Sequence, residues 1–143
     1  MNLKEKGKNR ISIILIFFII INIIGDIGNI VFWWVNPDSR AASLNTGIIA
    51  TSAGVDNALL AGTIILALVA VVYIAGLFGL LKKMSWAPYL IIAISIANRV
   101  LALFLYFISP AFAFWTVWTA ILVVTSYLYI RKSTTQTSKQ NAS

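Results

Sequence analysis

The chain has 143 residues, of which 60% are hydrophobic and only 10% charged, with a formal net charge of +7. A soluble domain carries about a quarter charged residues, so this composition predicts an integral membrane protein and leaves room for one bundle. The absence of Cys and His excludes disulfides, thiolate or imidazole metal sites, haem ligation through imidazole and the commonest general base.

Lys4, Lys6, Lys8 and Arg10, against the single Glu5, precede an apolar run from Ile11 to Val35 rich in Ile and Phe. That run is about twice as long as a signal-peptide core, and Arg40-Ala41-Ala42-Ser43 is a poor cleavage site. A retained first span over 11–35 is therefore expected. At about 1.5 Å per residue it crosses the roughly 30 Å hydrocarbon layer with room to tilt. Trp33 and Trp34 mark its interfacial end.

Residues 36–55 read as the one substantial loop, with turn chemistry at Asn36-Pro37-Asp38 and an apolar tetrad, Gly47-Ile48-Ile49-Ala50, too short to span. A second span is expected over 56–81. Asp56 either caps it or marks the outer mouth of a path. Ala58/Gly62 and Ala75/Gly79 have the small-residue spacing that lets helices approach closely in lipid, a spacing common by chance in an Ala-rich helix.

Lys82-Lys83 forms a basic turn, Ser85 is a candidate N-cap, and Pro88 falls in the first turn of a third span over 86–108. Ser109-Pro110 repeats the start signal with almost no loop, so the fourth span, 110–130, forms an antiparallel hairpin with the third. Arg131-Lys132 ends it. The membrane domain thus covers 1–132, and the Ser/Thr/Gln-rich residues 133–143 read as a disordered cytoplasmic tail.

In this layout the N-terminal cations, Lys82-Lys83, Arg131-Lys132 and Lys139 share one side, while the other has Arg40 offset by Asp38. The positive-inside rule then places the N and C termini in the cytoplasm of a multi-pass cell-membrane protein. Basic residues that flank spans form no patch with interleaved aromatics, so no nucleic acid is expected as a partner. The bilayer itself is, with a second copy or a larger membrane complex beside it.

Arg99 in the third span and Asp26 in the first are opposite charges inside apolar runs, where charge is costly and rarely kept without a partner. Both stand about 14 residues from the inner end of their spans, roughly 20 Å up. Helical spacing puts Asn22, Asp26, Asn29 and Trp33 on one face of the first span, and Ser95, Arg99, Ala102 and Tyr106 on one face of the third, with Asn98 at its edge. The same counting brings Asp56, Thr63, Ala67 and Ala70 onto one face of the second span and Thr116, Ala120, Val123 and Tyr127 onto one face of the fourth. An intramembrane polar layer of Asn22, Asp26, Asn29, Thr63, Ser95, Asn98, Arg99 and Thr116 follows, with Asp56 at its outer mouth. Asp26 and Arg99 are expected to meet as a direct, buried pair. The layer is either a fastener between helices or a site for a ligand, ion or proton. Trp33, Trp34, Trp86, Tyr89 and Tyr129 read as interfacial anchors, and Trp115 and Trp118 as deeper aromatics beside the layer.

No catalytic set can be drawn. A nucleophile–His–acid arrangement is impossible, the acids are too few for an oxygen cage, and no glycine-rich phosphate loop occurs. No cofactor or metal is implied. The fold expected is an all-α integral membrane four-helix bundle. Its expected role is a non-catalytic accessory or scaffold subunit; the alternative is a small transporter, channel component or lipid or small-molecule binder.

Overall fold

The computed structural model describes residues 3–36, 38, 52–105 and 110–140, with side chains over 10–36, 38, 52–102 and 114–133. Among these residues four helices are found: α1 over Leu3–Val35, α2 over Val55–Leu81, α3 over Ala87–Leu105 and α4 over Pro110–Gln140. Ile- and Val-rich stretches are mediocre helix formers in water, because branching at Cβ restricts χ1. Hydrocarbon overrides that preference, since a helix satisfies its own backbone N–H and C=O groups within one segment. Arg10–Val35, Val55–Leu81 and Phe114–Ser133, with mean hydropathies of 2.5, 2.8 and 1.2, are long and apolar enough to cross a membrane. The apolar stretch of α3, Ala87–Ala102, is shorter.

Each helix packs on the next and α4 returns to α1, closing the four into a ring. The α2–α3 seam is built on missing side chains. A Cβ on Gly79 would lie 2.7 Å from that of Ala87, and one on Gly76 would lie 2.9 Å from Ile91 Cγ1. Further along, Tyr73 meets Ser95. Residue numbers fall on α2 as they rise on α3, so the pair is antiparallel. Of the small-residue pairs expected on α2, Ala58/Gly62 is buried, whereas Ala75 is exposed and Gly76 stands in its place beside Gly79.

The α1–α4 seam uses aromatic bulk. The Trp115 ring lies on the bare backbone of Gly25, 2.7 Å from where a Cβ would stand. The Phe18 and Trp118 rings meet edge-on with centroids 4.6 Å apart. This pair is antiparallel too. Trp115 and Trp118 are thus deep aromatics between helices, as the sequence suggests.

The link from α2 to α3 is a Schellman turn. Met84 N–H donates to Gly79 O at 2.8 Å and Lys83 N–H to Leu80 O at 3.0 Å, with Lys83 in the left-handed region at φ 56°. Trp86 O accepts from Leu90 N–H at 3.0 Å, so Trp86 holds the cap position of α3 in place of Ser85, and Pro88 falls in the first turn as expected. At the start of α2 the cap is Gly54 at φ 92°, and Asp56 lies inside the first turn, where a carboxylate complements the helix dipole. The last helix runs on to Gln140, so the tail expected to be disordered from Ser133 continues as helix, with Ser133 Oγ donating to Tyr129 O at 3.1 Å. Once a helix is running, each added residue gains one bond for one residue fixed, with no new nucleation cost. The expectations at Pro37, Arg40, Gly47–Ala50, Tyr106 and Ser109 lie outside the described residues.

The described residues form two apolar clusters in the interior. One takes residues from all four helices, among them Leu15, Ile19, Val69, Tyr73, Ile91 and Leu122. The other joins Trp33 to Ala58, Leu59 and Leu66. Outside, large apolar side chains cover every helix, for example Phe17, Ile24, Leu68, Phe78, Val100, Val117 and Val124, while Asn22, Asp26, Ser95, Asn98, Thr119 and Ser126 are buried. A soluble domain has the opposite arrangement.

Candidate functional site

The phase of α1 is set by its polar residues, and it follows the sequence pattern. Asn22 and Asp26 are buried, Asn29 is half-buried, and Trp33 is 4% exposed. On α3, Ser95, Asn98 and Ala102 are buried and Arg99 is half-buried. These stripes are brought together across the bundle. The Asn98 amide and the Arg99 guanidinium both lie close enough to the Asp26 carboxylate to interact with it electrostatically. Nε and Nη1 of Arg99 are buried.

A second contact ties α2 to α3 beside this pair. Tyr73, at 1% exposure, shares a 2.9 Å hydrogen bond with Ser95, whose hydroxyl also reaches Ile91 O at 2.6 Å. Tyr73 lies within the electrostatic field of both Asp26 and Arg99. It went unmarked in the sequence, although a single Tyr in the middle of the apolar α2 is a usable signal. A phenol buried in hydrocarbon needs a polar partner.

Other polar groups of the bundle are absorbed locally. Asn22 Nδ2 donates to Phe18 O at 2.8 Å and Thr119 Oγ1 to Trp115 O at 2.8 Å. Such bonds back to the carbonyl four residues earlier let a short polar side chain sit in an apolar helix without a distant partner.

Several expected placements differ in the structure. Thr116 is exposed, as are Ala120 and Tyr127 of the face expected to line the interior; α4 instead turns Thr119, Leu122, Ser126 and Tyr129 inward. Ala67 is likewise exposed on α2. Both helices are apolar all round, so counting residues gives height in the bundle but not rotation about the axis. Trp33 and Tyr129, expected as interfacial anchors, are buried between helices, Trp33 on the face it was expected to share with Asn22 and Asp26. Trp34, Trp86 and Tyr89 are exposed as such anchors are. Thr63, expected in the polar layer, is half-buried and accepts from Trp34 Nε1 at 3.1 Å, so an indole holds it. Asp56 is exposed, well separated along α2 from Tyr73 and the layer.

What the arrangement offers chemically is limited. Asp26 Oδ2, Trp118 Nε1 and Ser126 Oγ are buried with no hydrogen-bond partner among the described residues. Among the described residues, no group of three or more His, Cys, Asp or Glu could hold a metal ion.

The fold and this layer define a class: an all-α four-helix bundle, three of its helices fit to cross a membrane, with polar residues inside and apolar ones outside. No protein-family model, no curated protein and no solved structure matches the chain.

Proposed function

We propose that this chain is a four-span cell-membrane protein with both termini in the cytoplasm, acting as a non-catalytic accessory or scaffold subunit against a membrane partner or a second copy. The observation that supports it most is where the polar groups go. Asp26, Asn98, Arg99, Tyr73 and Ser95 are turned toward one another across three helices, and the outer surface is left apolar. At 19 residues, α3 rises about 28 Å, close to the roughly 30 Å of a hydrocarbon layer, so it completes a fourth span. The layer then serves as a fastener that sets helix register.

A double-mutant cycle tests the fastener. Removing one partner of a buried ion pair costs roughly 3–5 kcal/mol, whereas replacing both by apolar residues of similar volume is often neutral. Asp26→Leu and Arg99→Leu should each destabilise the bundle strongly. The double variant should recover most of the loss, and additive losses would show that the two groups do not interact. Topology is read with an impermeant thiol reagent on intact cells: Asn45→Cys should react and Lys83→Cys should not, and the reverse pattern inverts the orientation. Extracted in mild detergent, the chain should migrate in an assembly larger than one copy; a monomer from its own membrane removes the accessory reading.

The partnerless Asp26 Oδ2 favours a second reading, a small transporter or lipid or small-molecule binder that uses the layer. Under it, the stable double variant would fold normally yet fail to take up or bind that molecule.

A further inference from the structure

The end of the bundle that carries both chain termini is ringed by exposed cations. The antiparallel contacts of Phe18 with Trp118, Trp34 with Thr63 and Tyr73 with Ser95 bring Leu15 of α1, Leu80 of α2, Ala87 of α3 and Tyr129 of α4 toward one end of the bundle. Arg10, Lys82, Lys83, Arg131 and Lys132 stand within a few residues of these four, and all five are exposed. Among residues with described side chains, no Asp or Glu lies at this end; Glu5 is the one acid in the flanking sequence. Trp86 and Tyr89 are exposed next to the α2–α3 turn, where amphipathic rings belong at the boundary between hydrocarbon and headgroups.

Lys83 adds an independent observation. It occupies the left-handed position of the Schellman turn, at φ 56°, which glycine takes without steric cost and a side chain does not. Lysine at this position carries a modest backbone cost that glycine would avoid, and it places an exposed cation at the tip of the turn.

We infer that this basic end is a binding surface for anionic phospholipid headgroups, with the Lys82–Lys83 turn and the Arg131–Lys132 exit of α4 supplying its cations. The inference rests on the membrane-spanning reading. Phosphate diesters in the adjoining leaflet lie at the level of these side chains, and each Lys or Arg near an anionic surface strengthens attraction roughly five-fold.

The test reconstitutes the full chain into nanodiscs of phosphatidylcholine alone, or of phosphatidylcholine doped with phosphatidylglycerol, and counts lipids retained after release by native mass spectrometry. Phosphatidylglycerol should be retained over phosphatidylcholine and displaced by high salt, while inorganic phosphate at moderate concentration should not compete. Displacement by phosphate at the same ionic strength would assign the surface to a soluble anion instead. Lys83→Gly separates charge from fold: it should unfold at higher temperature and yet lose anionic lipid about five-fold. Arg131→Gln with Lys132→Gln should lose more. Equal retention of both lipids by the native chain, or unchanged retention by Lys83→Gly, overturns the inference. A chain that fails to enter either nanodisc defeats the membrane reading itself, so the two failures are distinguishable.

Discussion

The α2–α3 and α1–α4 seams solve the same packing problem in opposite ways. Between α2 and α3 the side chains are removed, so that Gly79 meets the Ala87 methyl and Gly76 meets Ile91. Between α1 and α4 they are enlarged, with Phe18 against Trp118 and Trp115 laid over Gly25. The first pair is joined by a short turn and the second has no direct link in the chain. Lipid gives two helices little hydrophobic reason to associate, so contact area must come from close backbones or from large rings. Rigidity differs accordingly. A methyl on a helix backbone has nowhere to go, whereas the far edge of an indole can swing.

That difference is testable by adding atoms. Gly79→Leu should be the most damaging change, at about 3 kcal/mol, because the new side chain drives against the fixed Ala87 methyl and forces the helices apart. Unfolding in a bilayer by steric trapping would measure it, and an unchanged stability would mean that the seam is looser than the structure shows.

A smaller effect is expected at the polar end of the same seam. Tyr73→Phe removes one side of the 2.9 Å bond to Ser95, yet Ser95 keeps its bond to Ile91 O. A loss of about 1 kcal/mol is expected, the usual net worth of one hydrogen bond. A loss of several kcal/mol would show that Tyr73 supports the Asp26 layer as a whole.

Gly25→Ala should change least. Its methyl would meet only the outer edge of the Trp115 ring, and Ala gains about 1 kcal/mol of helix propensity over Gly. Near-neutral stability with a shifted Trp fluorescence spectrum is the expected result. A large loss would show that the aromatic seam is as rigid as the glycine seam, and the contrast between the two would fail.

Composition and the order of apolar runs were enough to read four helices and most of their ends, but α1 begins at Leu3 rather than at 11 and α4 ends at Gln140 rather than at 130. A run of twenty or so apolar residues has one workable structure in hydrocarbon. Polar residues also gave the inward face of α1 and α3, because Asn22 with Asp26, and Ser95 with Asn98 and Arg99, each mark a direction around the axis. On α2 the marker is the single Tyr73, and on α4 the polar residues point in more than one direction. Thr116 and Thr119 are about 60° apart around the helix, and only packing against Phe18 and Gly25 turns Thr119 inward and leaves Thr116 exposed. The role of Tyr73 was hidden because its partner lies 22 residues away on another helix. Rotation about a uniformly apolar axis depends on which neighbouring backbone comes closest, and that distance exists only once the four helices are assembled.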